Sequence, residues 1–411
     1  MVDCCSAPGL LPLEQALSQM LSVITPITES EQVSLAQASN RILSVSIKSP
    51  VNVPPNDNSA MDGYAFSVDS LSENNTLTLV GRSMAGEPFN GVCQAGQCVR
   101  IMTGAKIPDD CDTVEMQENC QADGDTITFL SQRKRSDNVR KMGEDIALGQ
   151  AVLPAGRELT TADIGVLASL GIDEVSVYRK IKVAILSTGD ELKKPGETLA
   201  EGDIYESNGS CLRSFLTKLG VEVIDFGIIE DSEQAILAAF KQADELADAV
   251  ISSGGVSVGD ADYTKTVLAS LGDVEFWKIA MKPGKPFAFG SLPNSYFFGL
   301  PGNPVSALVT AHQLALPALL KLQNVSYQKP LTLKAKTVDG LKKQPGRVDF
   351  QRGTAFNDEG GELVVKTTGS QGSGILTSMS LANCYIVIPS CQGGVAAGES
   401  VDIQLFDKYL Q

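Results

Sequence analysis

VISSGGVSVGDAD, residues 250–262, is the stretch that decides the fold of the central part of this chain. Val250 and Ile251 end an apolar run that is typical of a buried strand, and glycines follow at 254, 255 and 259. Small residues there let a ligand lie against bare backbone, with main-chain N–H groups turned toward it. The pattern at 264–271 predicts a helix, whose N-terminus favours anionic groups.

The same loop carries two carboxylates, Asp260 and Asp262. A loop that suits phosphate but holds acidic side chains needs a cation to reconcile the charges, and Mg²⁺ is the usual one. The stretch therefore predicts nucleotide or phosphoester chemistry.

Strand and helix patterns alternate around this loop, from about 181 to 325. Alternation with short connections predicts a doubly wound α/β domain, a parallel sheet with helices on both faces. The predicted strands are 183–186, 221–229, 249–252, 276–279 and 296–300, and the predicted helices are 208–219, 232–247, 264–271 and 304–322. Ligands bind at the carboxyl ends of such strands. Polar and glycine-rich segments follow three of them, at 187–191, 254–262 and 299–304, so we expect them to converge on one edge.

The flanking regions have different patterns. The first 180 residues predict helices at 13–24, 33–43 and 161–170, with turn-rich β segments at 76–80, 98–102, 113–117 and 126–130. The tail from about 328 predicts short strands at 331–337, 347–351, 363–367, 385–388 and 401–405. Short strands separated by turns indicate a small β-barrel or sandwich.

Composition excludes several classes of function. A formal net charge of −16 disfavours non-specific binding to nucleic acid or to an anionic membrane. No uninterrupted apolar run approaches the ~20 residues of a membrane helix, and the start MVDCCSAPG lacks the features of a signal peptide. The nine cysteines are odd in number and scattered, which favours reduced thiols over zinc ligands or disulfides. We therefore expect a cytoplasmic protein.

His312 is the only histidine, and it lies in an apolar helical pattern that favours a structural role. A Ser-His-Asp triad would have to use it, and histidine-rich metal sites are excluded. Acid, base and metal roles therefore fall to carboxylates, lysines and water.

Three lysines, Lys278, Lys282 and Lys285, fall within WKIAMKPGKP. A run of lysines is usually solvated, but here prolines stiffen the backbone around them. In so acidic a chain, these lysines are candidates for an anion site. Asp231 follows a predicted strand, where it could equally cap the next helix or reach a metal.

Nine motifs occur in one order along the chain. They are NSAMDGYA, RIMTGA, GEDI, STGDEL, SSGGVSVGDADYTK, KPGKPFAFG, GLPGNPVSA, DFQRG and TTGSQGS. Taken alone, the first three are more typical of structured loops, and GLPGNPVSA of a well-built strand–helix turn. Together the nine closely resemble the MoeA family of molybdopterin molybdenumtransferases, and they are similar to the E domains of gephyrin and its plant counterpart. The resemblance covers essentially the whole chain.

The resemblance implies a multidomain α/β architecture. Residues 1–26 and 147–177 would form a helical domain with an inserted β-rich domain at 27–146. A MogA/MoaB-like doubly wound domain would follow at 178–327, and a small β-barrel at 328–411. The resemblance also implies a homodimer with composite clefts, in which Asp62 and Thr103 act across the interface. A MogA-type adenylyltransferase and molybdoenzyme maturation proteins are candidate partners.

The implied reaction inserts molybdate into adenylylated molybdopterin and releases AMP, with Mg²⁺ as cofactor. The implied metal ligands are Glu191, Asp231 and Asp262. The implied catalytic residues are Asp62, Thr103, Asp145, Glu191, Asp231, Asp262, Lys278 and Lys282. The implied binding residues for molybdopterin, nucleotide and molybdate are Ser253, Gly254, Gly255, Ser257, Gly259, Pro301, Pro304, Lys285, Ser306, Arg352 and Ser373; molybdate would bind at Lys282 and the last four of these. Family members often carry Glu or Lys near Asp260, so Asp260 is treated as variable.

Two other functions remain open. One is the related adenylyltransferase, which makes the adenylylated substrate with the same α/β domain; the accessory domains and the DFQRG segment weigh against it. The other is a binding scaffold, because the gephyrin E domain also clusters receptors.

Overall fold

The computed structural model describes residues 9–71, 75–255 and 263–411. The chain divides into two compact units. The larger comprises the described part of the first 31 residues, Asn40–Ile42 and Tyr178–Gln411, and the smaller comprises Gln32–Ser39 and Leu43–Val177.

A six-stranded sheet forms the centre of the larger unit. The strand order is Glu222–Ile229, Lys182–Thr188, Ala249–Ser253, Tyr296–Leu300, Pro286–Ser291 and Asp273–Lys278. The first four strands are parallel, and Pro286–Ser291 runs antiparallel to both of its neighbours. The predicted doubly wound domain is confirmed, although the antiparallel strand was not expected.

Helices cover both faces of this sheet. Val250 packs with Glu233–Leu246 and Tyr263–Leu271 on one face, whereas Ile251 faces the core that contains Asn208–Leu219. Both side chains are fully buried, and full burial of such a side chain contributes about 1.5–3 kcal/mol. Burial on two sides explains why the strand is apolar without alternation. It also holds the loop after Ser253 at the carboxyl edge of the sheet.

The long helical segment after the last parallel strand consists of Pro304–Thr310, a π-helical turn Ala311–Ala315, and Leu316–Leu322. It is long and apolar enough to cross a membrane, but 89% of it is buried inside the protein, as in a core helix. His312 lies in the π-helical turn, is 5% exposed, and hydrogen bonds to Asp407 over 3.0 Å. The structural role predicted for this histidine is confirmed.

Five strands near the C-terminus close into a barrel. They are Thr332–Thr337, Val348–Asn357, Leu363–Thr367, Cys384–Ile388 and Ser400–Leu405. The first half of the long strand Val348–Asn357 pairs with Cys384–Ile388, and its second half pairs with Leu363–Thr367. The remaining pairings complete the ring. Of the barrel or sandwich predicted, the barrel is confirmed; one turn of helix, Thr377–Ser380, follows its third strand.

The smaller unit contains a second six-stranded sheet. Its strands, in order, are Thr113–Met116, Gly63–Phe66, Gln97–Ile101, Thr76–Ser83, Thr126–Phe129 and Cys120–Asp123. Its helix Thr161–Ser169 begins at Thr160, whose side chain and that of Asp163 form a reciprocal capping box.

The helix predicted at 33–43 is wrong. Residues Ser30–Ser34 form a strand, and a 3₁₀ turn follows at Leu35–Gln37. Ile42 is buried in this segment, and Val33, Ala38 and Leu43 are buried together in one hydrophobic core. Their spacing of five does not place them on one helical stripe, so an irregular path buries them better than a helix would.

Shorter elements complete the fold. The helix Leu13–Val23 lies in the larger unit, where Ala16 and Met20 join its main core. The grouping of residues 1–26 with 147–177 in one domain stays a prediction. The other strands and 3₁₀ turns are Ile47–Lys48, Asn58–Ser59, Val68–Ser70, Gln117–Asn119, Val139–Arg140, Ala151–Leu153, Glu174–Tyr178, Leu192–Lys193, Ile204–Tyr205 and Met281–Lys282. The cysteines that the structure describes, from Cys93 onward, are free thiols.

Candidate active site

A cavity of about 630 Å³ lies in the larger unit, at the carboxyl ends of three parallel strands. We call it the glycine-lined cavity. Thr188, Ser253 and Pro301, which end or directly follow those strands, lie in its wall. Seven predicted site residues line it, namely Glu191, Ser253, Gly254, Gly255, Pro301, Pro304 and Ser306. The predicted convergence of polar and glycine-rich segments is therefore observed for these residues.

Gly254 and Gly255 place bare backbone in the cavity wall. Both have left-handed φ angles, +90° and +65°. A Cβ atom on Gly255 would lie 2.3 Å from Thr264 Oγ1, and one on Gly254 would lie 2.8 Å from the carbonyl oxygen of Thr188. Only glycine fits such positions without a shift of the surroundings. The predicted residues Ser257, Gly259 and Asp262, as well as Asp260, lie outside the described residues.

Asn208, which the sequence analysis did not select, bridges two walls of the cavity. Its Nδ2 donates to Ser253 Oγ and to the carbonyl oxygen of Gly302, both over 2.7 Å. Its Oδ1 is buried and has no hydrogen-bond partner among the described residues. A buried acceptor left unpaired costs about 1–3 kcal/mol, which a donor group on a ligand would recover. The only sequence signal was its place at the start of the helix Asn208–Leu219.

Acidic side chains gather beside the cavity. The backbone N–H of Asp231 donates to Asp190 Oδ1 over 3.3 Å. Burial raises the pKa of Asp231, and the charges of Asp190 and Glu191 raise it further. A carboxylate destabilised by neighbouring acids is one that gains from a bound cation.

Ser232, rather than Asp231, caps the helix Glu233–Leu246, since its Oγ accepts from the N–H of Ala235. Of the two roles left open for Asp231, capping is therefore wrong. Within 9–71, 75–255 and 263–411, no three Asp, Glu, Cys or His side chains converge closely enough to hold a metal.

The predicted cationic residues do not gather in this cavity. Lys282 Nζ contacts Asp349 Oδ2 at 3.4 Å and lines a separate cavity. Lys278 and Lys285 are exposed. The carbonyl oxygen of Ser373 accepts from the N–H of Val305, at the start of the helix that carries Ser306.

Arg352 is 1% exposed and forms no ion pair with the described residues. Its Nε donates to Ser378 Oγ over 3.0 Å, and one of its terminal nitrogens donates to the carbonyl oxygen of Gly372 over 3.2 Å. Burial lowers its pKa from the ordinary value. In this arrangement the guanidinium supports the segment from Gly372 onward, which passes the cavity at Gly374.

In the smaller unit, the structure brings Asp62 and Thr103 together. Asp62 Oδ1 accepts from both the N–H and the Oγ1 of Thr103, each over 2.7 Å. These hydrogen bonds, the backbone one first, lower the pKa of Asp62. The carboxylate is therefore ionised and fixed at an exposed position. Asp145 is also exposed, and its N–H donates to the carbonyl oxygen of Val53.

Family models match three successive parts of the chain. The MoeA N-terminal region (domain I and II) matches residues 11–171, a probable molybdopterin-binding domain matches 184–321, and the MoeA C-terminal region (domain IV) matches 334–406.

Relatives match along the whole length. A molybdopterin molybdenumtransferase of Haemophilus influenzae is 48% identical and covers 98% of this chain and 100% of its own. One of Nostoc sp. is 34% identical, with 95% and 93% covered. The crystal structure of a MoeA protein of molybdopterin biosynthesis from Pyrococcus horikoshii superposes with a TM-score of 0.85 at 30% identity, over 97% of this chain and 100% of that one. From the three family models and these full-length relatives together, the chain belongs to the MoeA family of molybdopterin molybdenumtransferases, enzymes of molybdenum cofactor biosynthesis.

Proposed function

We propose that the chain inserts molybdate into adenylylated molybdopterin, with cleavage of the phosphoanhydride and release of AMP. The observation that carries this proposal is the glycine-lined cavity. At Gly254 and Gly255 a ligand can approach the backbone without meeting a side chain of these residues, and Asn208 places a buried hydrogen-bond acceptor in the cavity wall. Backbone beside a helix N-terminus suits the phosphates of a nucleotide.

Mg²⁺ fits the acidic side of this cavity by its donor chemistry. Glu191 and Asp231 would hold it together with Asp262, and substrate oxygens and water would complete the shell, as is usual for this ion. Bound there, the ion would neutralise the phosphoanhydride and the leaving AMP. The raised pKa of Asp231 supports this assignment, because neighbouring acids that disfavour its charge also favour a cation.

Molybdate is a dianion and needs positive charge near the dithiolene that receives it. Lys285 and Ser306 are proposed to bind it first, because Lys285 is exposed and precedes Pro286, which lies in the cavity wall with Ser306. Lys278 is proposed to bind phosphate, and Lys282 is proposed to bind the molybdate oxyanion. Arg352 and Ser373 are proposed to position the wall at Gly374, since the guanidinium is buried.

The active assembly is proposed to be a cytoplasmic homodimer with four domains in each chain, bounded as the sequence predicts. In it, the ionised Asp62, held by Thr103, would face the partner's α/β domain with Asp145 and position water or a molybdate oxygen. A MogA-type adenylyltransferase would supply the substrate, and molybdoenzyme maturation proteins would receive the product.

The decisive measurement is AMP release from adenylylated molybdopterin, with and without molybdate and Mg²⁺. We expect release to require both ions, and release that ignores both would refute the proposal. Asp262→Asn should lower turnover while the circular dichroism spectrum stays native, and Lys285→Ala should raise the molybdate concentration required. Lys366→Gln, an exposed lysine of the barrel, serves as control.

The adenylyltransferase alternative has a direct test. Incubation of the chain with molybdopterin and ATP should yield no adenylylated molybdopterin. Formation of that product would favour the alternative activity.

A further inference from the structure

We propose that a second cavity of the larger unit binds a dianionic tetrahedral oxyanion, separately from the glycine-lined cavity. We call it the basic cavity. It has a volume of about 530 Å³ and is lined by Lys282, Leu341, Lys342, Lys343, Gln344, Arg347, Asp349 and Gly394. The proposal adds an anion site to the reaction proposed above and shares one residue with it, Lys282, which the test leaves unchanged.

Two paired strands form one side of the basic cavity. Met281–Lys282 pairs in parallel with Val348 and Asp349 at the start of the long barrel strand. This pairing places Lys282, which comes from the α/β region, beside Arg347 of the barrel. The other side is the loop that carries Lys342, Lys343 and Arg347. It begins at the bridge between Leu341 and Val395 and ends at the barrel strand, so both of its ends are fixed.

Positive charge is concentrated in this cavity, although the chain as a whole is negatively charged. Four cationic side chains and one carboxylate line it, an excess of three positive charges, whereas the whole chain carries −16. The carboxylate of Asp349 is 2% exposed and is already engaged, since it accepts from Lys282 at 3.4 Å and from Gln351 Nε2 at 3.2 Å. The excess is therefore not compensated within the cavity.

Lys343 is held in place at the centre of this charge. Its Nζ donates to the carbonyl oxygens of Gln344, Ser390 and Gln392. Burial lowers its pKa, and the charges of Lys282 and Arg347 lower it further, while Asp349 opposes them. Like charges crowded in this way would be relieved by a bound anion. Because its N–H groups already donate to carbonyl oxygens, Lys343 would attract the anion by its positive charge and would not donate a hydrogen bond to it.

Lys342 and Arg347 supply the free donors. Neither side chain has an ion pair or a hydrogen bond within the part of the chain that the structure describes. Lys342 is exposed and Arg347 is half-buried, so both can reach a ligand in the cavity. An arginine presents two parallel N–H groups that match two oxygens of one tetrahedral anion.

The remaining wall narrows the class of ligand. The described lining residues include no aromatic ring on which a base or pterin could stack. Recognition would therefore rest on charge and N–H donors. Free molybdate and a phosphate group share this chemistry, and they are the two sources that the experiment separates.

The test is isothermal titration of the full-length protein with molybdate, and separately with inorganic phosphate, in low-salt buffer. The variant is Lys342→Gln combined with Arg347→Gln, which spares Lys282. The matched control is Lys366→Gln, which removes an exposed barrel lysine outside the cavity. We expect the double variant to lose one class of sites, with Kd for at least one anion raised about tenfold or more, and the control to bind as the wild type does.

Loss for only one of the two anions would support the proposal and identify the ligand. Wild-type Kd values for both anions in the double variant, or an equal loss in the control, would overturn it. AMP binding should be unchanged in every variant, because AMP is assigned to the other cavity. Since no turnover is measured, failure here is distinct from failure of the proposed reaction.

Discussion

Gly255→Ala tests whether the glycine-lined cavity depends on a residue without a side chain. The new methyl group would lie 2.3 Å from Thr264 Oγ1 and 3.1 Å from Thr188 Oγ1, in a residue with φ of +65°. The left-handed backbone costs an alanine about 1–2 kcal/mol, and forcing a methyl group into a packed site costs about 1–3 kcal/mol more. The total is about 2–5 kcal/mol, unless the loop moves and gives up the shape of the cavity.

Gly227→Ala is the matched control, because Gly227 has φ of +71° in the same unit and a methyl group there would meet no atom of a non-adjacent residue within 4 Å. It should show the backbone cost alone, about 1–2 kcal/mol. Thermal unfolding followed by circular dichroism measures the stability of both variants, and calorimetry with AMP measures binding. We expect Gly255→Ala to be the less stable of the two or to bind AMP at least about tenfold more weakly. If both variants unfold at the same temperature and bind AMP like the wild type, the close approach at Thr264 does not matter and the reasoning is refuted.

Three further predictions follow from charged groups. Mg²⁺ should raise the unfolding temperature of the wild type but not of Asp231→Asn. Because the pKa of Asp231 is raised above 3.8, this side chain without the ion favours the folded state only at low pH, and that contribution is lost as pH rises. The stabilisation by Mg²⁺ should grow over the same pH range. An equal Mg²⁺ effect in both proteins would remove Asp231 from the metal site. Arg133→Ala should lower the free energy of unfolding in urea by about 3 kcal/mol at neutral pH, because it leaves the fully buried Glu115 without its cation. Burial alone would raise the pKa of Glu115, but the hydrogen bonds from Arg133 and others lower it below 4.5, so the stabilisation is present above that value and lost as pH falls. A Glu115→Gln protein with the same acid dependence as the wild type would contradict this. Arg352→Lys should lower the unfolding temperature by about 2–4 °C for each kcal/mol of lost hydrogen bonding, and an unchanged temperature with weakened molybdate binding would instead make Arg352 a direct ligand.

The sheet of the larger unit could be predicted because its strands carry a local signal. Ala249–Ser253 is apolar on both faces, and the helices around it have clear periodicity. The strand Pro286–Ser291 carries no such signal at its start, because it follows Lys-Pro-Gly-Lys, which is typical of a stiff loop. Its pairing with Asp273–Lys278 on one side and Tyr296–Leu300 on the other makes it a strand.

The site was predictable where function depends on backbone and on strand ends. The positions of Gly254, Gly255 and Ser306 follow from the edge of the sheet at which they lie. The position of a charged or polar side chain depends instead on partners that are far away in the sequence. Lys282 contacts Asp349, 67 residues away, and Asn208 bonds to Gly302, 94 residues away. No pattern in sequence spacing indicates such contacts, which is why Lys282 and Arg352 were expected in one cationic cluster and lie in different surroundings.

The closed ring of strands near the C-terminus limits how that part of the chain can meet other proteins. Across 332–405, all of which the structure describes, each barrel strand pairs with a neighbour on both sides. No strand of the ring therefore has a wholly open edge, and an extended peptide from another molecule would find only short runs of unpaired backbone there. A receptor, chaperone or second copy that docks on this barrel would bind mainly through its side chains and turns. The same closure disfavours β-aggregation through strand edges.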